Sequence, residues 1–487
     1  MTDVARGQDV RSPLKSQPLT SSGRTITRVC DLVVIGGGAG GLAAARAGVA
    51  RRLTTVLVSD APLGGDCTFT GCVPSKTLIE AASRGDTFRE AASRVQETIA
   101  QIAGGEDADV LHEEGVDVVE GFARFCGSHE IAVGSQRFRA QKIVIATGSK
   151  PSIPLVPGLR SVPFLTNETV FALNALPPSI AILGGGAIGC EMAQVFQRFG
   201  AEVHLIEAES RLLAREEPEV SAVLGRCFSD AGIHLHLGQH LESVQQTMPD
   251  GPVELRLSAG NEVVRAMALL VATGRHPRTD GLELEAAGVA LDARGFVKTT
   301  SSLATTNKDV YAVGDINGRL VLTHAADEMG RVAIHNITNP VGRLGGRSFK
   351  TSSIPSVVFS DPEVARVGLT ETEAVVLGGR VAYLPMSEVD RAITANRTEG
   401  FIKLIAGPRT FLRNAGGGRL LGATIVAPRA GEMIHEVALA LQLGAFTGRL
   451  AQTVHAYPSW SAGIRQAAAQ FFMEINGRTA FRATHRS

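Results

Sequence analysis

The sequence predicts an α/β fold made of two Rossmann-like dinucleotide-binding domains and a C-terminal α+β domain, and three observations carry that prediction. The pattern G-x-G-x-x-G occurs twice, each time directly after a β-branched run and directly before a helical stretch. Each copy is followed by a short apolar run ending in Ala-Thr-Gly, as if closing a unit. From about Ser353 the texture changes to extended segments broken by Gly and Pro, and then to the helical stretch AGEMIHEVALALQLG.

At 487 residues the chain exceeds a single core, so two to four domains are expected. Residues 1–28 have no apolar segment of the kind a secretory signal needs and read as a disordered tail. Lys plus Arg equals Asp plus Glu at 48 each, which argues against a nucleic-acid or anionic-membrane partner. No apolar run approaches the roughly 18 residues of a membrane span. Of the six cysteines, Cys30, Cys126, Cys190 and Cys227 stand singly among apolar neighbours and read as small buried hydrophobes. The cysteine usage fits a cytoplasmic protein without a disulfide framework.

The first unit opens at Cys30 with CDLVVIGGGAGGLAAARAGVARRLTTVLVSD, read as strand, turn, helix, strand. Gly36 allows the tight turn, Gly38 lets backbone approach a pyrophosphate, and Gly41 lets helix pack on strand. SIAILGGGAIGCEMAQVFQRFGAEVHLIEAESR repeats the pattern with Gly184, Gly186 and Gly189, and Glu207 closes its second strand. Two dinucleotide units in one chain suggest two dinucleotides with electrons passing between them. KIVIATGSKP, with Thr147 and Gly148, and LLVATGRHPR, with Gly274, close the two units. Near 310 a strand ends in Gly314-Asp315, where an acidic side chain is placed to hold sugar hydroxyls. A helix then follows Thr323 and His324, and its positive end favours a group that gains negative charge, such as a reduced flavin.

The stretch GGDCTFTGCVPSK sets Cys67 and Cys72 five positions apart. Zinc is disfavoured, because the spacing is not a knuckle and no second pair follows. In one regular helix the two would be rotated apart by roughly 140°, whereas a disulfide needs Cα atoms within about 7 Å. The helix must therefore begin irregularly, with Gly71 supplying the bend and Pro74 in the first regular turn. That puts Cys72 at a helix N-terminus, where a thiolate is stabilised. Lys76, one turn on, adds positive charge. Cys67 lacks such neighbours and reads as the freer thiol. The pair reads as a redox centre with divided labour.

With these residues in place, the chain resembles the class I pyridine nucleotide-disulfide oxidoreductases from about Asp31 to about Gln470. Its redox motif CTFTGCVPSK is closest in wording to the mercuric reductase and dihydrolipoyl dehydrogenase branches. The resemblance implies FAD in the first site, held over 29–155 and 278–352, and a nicotinamide cofactor over 156–277. It implies a homodimer built on 353–487. It also implies that Cys72 lies against the flavin while Cys67 exchanges with substrate, and that Lys76 pairs with Glu191 near the flavin ring. Asp315 would hold the ribityl chain, with Ala123, Thr147, Gly148, Gly314 and Thr323 among the flavin contacts.

Two departures bear on function. The family's histidine before proline, with a glutamate five residues on, is replaced in TVHAYPSWSAGIRQ by Tyr457 and Ala462. A phenol with pKa near 10 is a poorer base than an imidazole near 6.5. His455, about 7 Å away along an extended chain, is the candidate substitute, with a plain packing role as the alternative. The mercuric reductases and the larger thioredoxin reductases also bring C-terminal redox residues, and no cysteine follows Cys227 here. At the FAD ribose the expected acidic residue falls at Ser59, so Asp60 is the candidate. Glu207 favours NADH over NADPH, although Arg211 nearby leaves NADPH open.

Several segments invite other readings. GIHLHLGQH offers His234, His236 and His240, but Ile233, Leu235 and Leu237 alternate with the first two, which read as solvent-side strand residues; no metal site is expected. AGGGR reads as a hairpin turn, REEPEV as a solvated loop or helix start, and Trp460 as lining either a cleft or an interface. The reading is a homodimeric FAD enzyme that moves electrons between NAD(P)H, flavin, the cysteine pair and a small dithiol, disulfide or metal-ion acceptor. A flavin oxidase or quinone reductase that bypasses the cysteines, and a redox-sensing subunit docked on a larger complex, are its rivals.

Overall fold

The computed structural model describes residues 27–258, 262–341, 345–409 and 414–485. The tail expected over 1–28 lies outside the described residues except for Thr27 and Arg28, which open the first strand. That strand, Thr27–Ile35, sits at the centre of a seven-stranded sheet because Leu32, Val33, Val34 and Ile35 are all apolar and buried on both faces. It pairs in parallel with Thr55–Ser59 on one side and Gln136–Ile145 on the other, and Val310–Ala312 joins beyond Gln136–Ile145. The residues after Ile35, Ile145 and Ala312 therefore emerge at one end of the sheet. Ligands bind at this carboxyl edge in doubly wound folds.

The second unit repeats the plan in a smaller form. Ser179–Leu183 pairs in parallel with Glu202–Glu207 and Ala268–Val271, and His234–Leu237 forms the edge. A three-stranded antiparallel layer, Leu241–Gln246, Val253–Leu257 and Val263–Ala266, covers one face and shares a core with Leu183, Ile206 and Val271. The third unit is a six-stranded sheet ordered Ser356–Val358, Glu363–Gly368, Arg419–Ala427, Phe401–Gly407, Arg380–Pro385 and Phe481–Arg482. The helix Ala430–Gln442 packs on it through Met433, Ile434 and Val437.

Local expectations at Cys126 and His236 are corrected, while REEPEV is the helix start that was one of its two readings: Pro218 opens a helix, Glu217 is buried, and Glu216 is paired with Arg366 at 2.6 Å. Glu217 lies 3.2 Å from Lys403, a fully buried cation that also meets Glu219 and Glu371, so its burial is compensated. Cys126 is exposed, because it occupies an outward position of the strand Ala123–Gly127. His236 is half-buried and bonded to another histidine, because the antiparallel layer partly covers the face on which it lies.

AGGGR does connect two antiparallel strands, Phe401–Gly407 and Arg419–Ala427, through a longer loop whose residues 410–413 are outside the described ones. Trp460 packs on the core of the third unit, under the Arg391 guanidinium. Among the described residues no helix is long and apolar enough to cross a membrane.

Candidate active site

The redox segment folds as the two cysteines require. Cys67 sits in a short helix, Gly65–Phe69, and Cys72 begins a second one, Cys72–Arg84, with Gly71 between them as N-cap. A Cβ on Gly71 would lie 2.8 Å from the carbonyl oxygen of Asp66, so only glycine allows the chain to double back there. The break brings the thiols within hydrogen-bonding reach. Cys72 is pulled below the ordinary thiol range, first by the Cys67 S–H it accepts, against the cost of burial. The Thr323 hydroxyl, 3.4 Å away, and the Lys76 charge add to the effect. Cys67 is pushed up because its hydrogen is given to Cys72 and because it is partly buried. Both thiols line the large cavity at the sheet edge.

Lys76 donates to both oxygens of Glu191, at 2.8 and 3.1 Å. Glu191 lies in the helix Ala187–Arg198 of the second unit, is 5% exposed, and also accepts from the Phe359 amide of the third unit at 2.9 Å. The Lys76 ammonium rests over the Phe359 ring at 4.6 Å. One carboxylate thus ties all three units together and fixes a positive charge beside the thiols. The Phe359 contribution is carried by a backbone N–H, which no side-chain pattern announces.

The cavity they share has a volume of about 960 Å³. Gly36, Gly38, Asp60, Thr147, Gly148, Gly314, Asp315 and Thr323 line it together with Cys67, Cys72, Lys76 and Glu191. Asp315, raised by burial, accepts from Ser149 at 2.6 Å, and Arg275 closes on it and on Asp66. Thr147 donates to the Arg278 carbonyl. Ala123 lines a smaller adjoining cavity of about 290 Å³, beside Asp60. Ser59 stands in the first unit where Glu207 stands in the second: Ser59 Oγ crowds Gly37 as the Glu207 carboxylate crowds Gly185.

The glycines separate by role. A Cβ on Gly41 or Gly189 would lie 1.8 Å from the carbonyl oxygen of Gly36 or Gly184, so these two are required by the protein's own packing. A Cβ on Gly186 would meet nothing within 4 Å, and one on Gly38 would only touch Gly65 at 4.0 Å. That unused room, at the N-termini of two helices, fits a bound pyrophosphate in each unit. Glu207 accepts from the Gly185 and Glu209 amides at 2.5 and 2.9 Å. Arg211 is spent on the carbonyls of Glu216 and Ala214 and on Ser221. Gly274, at φ +137°, does not line the cavity but leads into Arg275, which does.

His455 and Tyr457 do not reach this cavity within one chain. His455 Nε2 faces the Glu436 carboxylate at 2.9 Å and its Nδ1 faces the Thr453 carbonyl at 3.1 Å. Tyr457 is 78% exposed and donates to Asp390 at 2.9 Å, and that carboxylate raises its pKa. The two side chains, expected to share a direction, go to separate partners. Glu436 was not legible as a site residue; its signal is a carboxylate recurring at the four-residue spacing of Glu432 in a mostly apolar helix.

A family model described as pyridine nucleotide-disulphide oxidoreductase matches residues 30–330, and a second, its dimerisation domain, matches 354–468. Dihydrolipoyl dehydrogenase of Thermus scotoductus is 35% identical, over 90% of this chain and 96% of its own length. Mercuric reductase of Streptomyces lividans is 34% identical, over 91% of this chain and 97% of its own. Among solved structures, the Cu(II) complex of the HOCl-induced flavoprotein disulfide reductase RclA from Escherichia coli superposes with a TM-score of 0.83 at 29% identity. It covers 91% of this chain and 99% of that one.

Proposed function

The chain belongs to the pyridine nucleotide-disulphide oxidoreductases, FAD-dependent enzymes with a dimerisation domain, and from that premise we propose that it uses NADH to reduce a thiophilic metal ion at Cys67 and Cys72. The observation that carries the choice of acceptor is Tyr457. Its phenol is held protonated by Asp390 where the family's disulfide reductases place an imidazole. A metal ion bound by thiolates needs no proton delivered to a leaving sulfur. The mercuric reductase relatives and the Cu(II) complex of a structural relative support the same class of acceptor.

Gly36, Gly38, Asp60, Asp315 and the helix opened by Thr323 would hold FAD; Gly184, Gly186 and Glu207 would hold the nicotinamide cofactor. Bound FAD supplies two-electron transfer between nicotinamide and the disulfide. The rest is done by the chain. Lys76, anchored by Glu191, keeps Cys72 as thiolate. Cys67 gives up its proton to water as it binds the acceptor. The dithiol then loses two electrons and becomes the disulfide, while one Hg(II) becomes Hg(0) or two Cu(II) become two Cu(I). The preference for NADH is supported by Arg211, whose guanidinium is committed to carbonyls and so is not free for a 2′-phosphate. A cytoplasmic location belongs to this reading, supported by the single thiols Cys30, Cys126, Cys190 and Cys227.

A second reading has its own observation. The His455–Glu436 pair is a half-buried imidazole–carboxylate couple of the kind that moves protons, and it would serve a dithiol or disulfide substrate from the dimer interface. NADH-dependent reduction of lipoamide and of Hg(II) or Cu(II), each with Cys67→Ser as control, separates the two. Metal reduction lost in the variant, with lipoamide turnover near zero, supports the first. Lipoamide turnover of tens per second or more, a typical enzymatic rate, supports the second. Full NADH oxidation in Cys67→Ser would instead support an oxidase or quinone reductase, and partners captured only in one redox state would support a sensor.

A further inference from the structure

At the edge of the second unit the parallel register places four ligand-type side chains on one face. Glu202 and His204 are two apart on the strand Glu202–Glu207, and His234 is the register partner of His204 on the edge strand His234–Leu237, with His236 two further on. The His204 and His234 rings stack at 4.7 Å. His204 Nε2 lies 3.4 Å and His234 Nε2 3.9 Å from Glu202 Oε1, and the three ligand atoms all lie within 4.8 Å of one another. Donors about 2.1 Å from a tetrahedral ion are themselves about 3.4 Å apart. His240, the third histidine of the sequence motif, is exposed beyond the strand and takes no part.

The hydrogen bonds around the cluster hold His204 in its orientation. The Glu262 carboxylate can only accept, so His236 Nδ1, 3.1 Å away, carries hydrogen. His236 Nε2 meets His204 Nδ1 at 3.1 Å, and this contact turns His204 Nε2 toward Glu202 Oε1. A histidine whose other nitrogen bonds into a His–carboxylate relay is how metal-ligating imidazoles are oriented.

We propose that Glu202, His204 and His234 form a binding site for a late first-row transition-metal dication such as Zn(II), Cu(II) or Ni(II), with His236 and Glu262 orienting His204. Imidazole and carboxylate donors suit these ions rather than Mg(II) or Ca(II). His234 and Glu202 are exposed, so their side chains can close the remaining distance, and water would complete the shell. The ion would clip the edge strand His234–Leu237 to its neighbour. The site lies on the sheet away from the Cys67–Cys72 cavity and does not depend on which acceptor that cavity serves.

The test is calorimetric titration of Zn(II) into the FAD-loaded, air-oxidised dimer in a non-coordinating buffer, with Cu(II) electron paramagnetic resonance alongside. The expected result is one Zn(II) per chain, weakened by at least about tenfold in Glu202→Gln and in His234→Ala, and by about 10- to 100-fold in Glu262→Gln, the scale of outer-shell losses. Cu(II) should show nitrogen splitting from two imidazoles, falling to one in His234→Ala, with NADH oxidation unchanged. Equal Zn(II) affinity in wild type and variants, sulfur-type copper spectra, or no wild-type binding below about 100 μM, weaker than about −5.5 kcal/mol, would overturn it.

Discussion

Cys72 and Tyr457 are the side chains whose surroundings most change their chemistry. Cys72 is held at about 5 by the Cys67 hydrogen, Thr323 and Lys76, so it is a thiolate at every pH above that and a thiol only below. In the reduced enzyme its alkylation by iodoacetamide should therefore rise with an apparent pKa far below the ordinary thiol value. Lys76→Met should move that midpoint upward by roughly one unit, as loss of a close opposite charge does. A profile still rising through pH 8 in wild type would contradict the assignment. Tyr457 is shifted the other way, up from 10, and stays protonated through the whole assay range. Replacing it should restore what the family's disulfide reductases have. Tyr457→His with Ala462→Glu is expected to raise lipoamide turnover by about a hundredfold, within the range of general acid–base catalysis. No gain would mean that His455 and Glu436 already do this work or that the substrate does not fit.

At the scale of elements, the two glycine turns have the same spelling and two kinds of glycine. Gly189 sits against the backbone of its own strand, so Gly189→Ala should cost about 3 kcal/mol or more and be seen as a lowered unfolding midpoint. Gly186 is an N-cap with open space in front of it, so Gly186→Ala should leave stability within about 1 kcal/mol. Its effect should fall on the cofactor instead, raising the KM for NADH by about tenfold or more, about 1.4 kcal/mol of binding. The reverse pattern, unfolding in the second variant and weak binding in the first, would assign the roles wrongly. The strand–turn–helix order of both units was legible because glycine, β-branched and alanine runs each have one conformational preference. The break between the two cysteine helices was legible too, from spacing alone.

Across the whole molecule, charge buried between units holds the arrangement. Lys403 is fully buried among Glu217, Glu219 and Glu371, joining the helix Pro218–Asp230 of the second unit to the third. Removing the cation leaves carboxylates uncompensated, and Lys403→Met should destabilise by about 3–5 kcal/mol, read as a fall in the thermal midpoint. A variant as stable as wild type would show that these carboxylates take up protons at little cost. Glu191 plays a related part nearer the chemistry, with contacts to Lys76 and to the Phe359 amide. Its pairing with Lys76 was expected only through family resemblance.

The sequence by itself determined the two nucleotide-binding units, the change of texture near Ser353 and the redox pair, whereas the missing imidazole was legible only through the family resemblance. Each rests on residues close together in the chain, where spacing translates directly into geometry. Only the tertiary structure decided what lies between distant segments: Glu436 behind His455, Asp390 against Tyr457, the burial of Glu217, and the meeting of His204 with His234 and His236. The histidine strand shows why. Alternation told which face His234 and His236 share, but not that a neighbouring strand brings His204 and Glu202 to the same place. Strand register and sheet order are set by packing of the whole core, and no local pattern contains them.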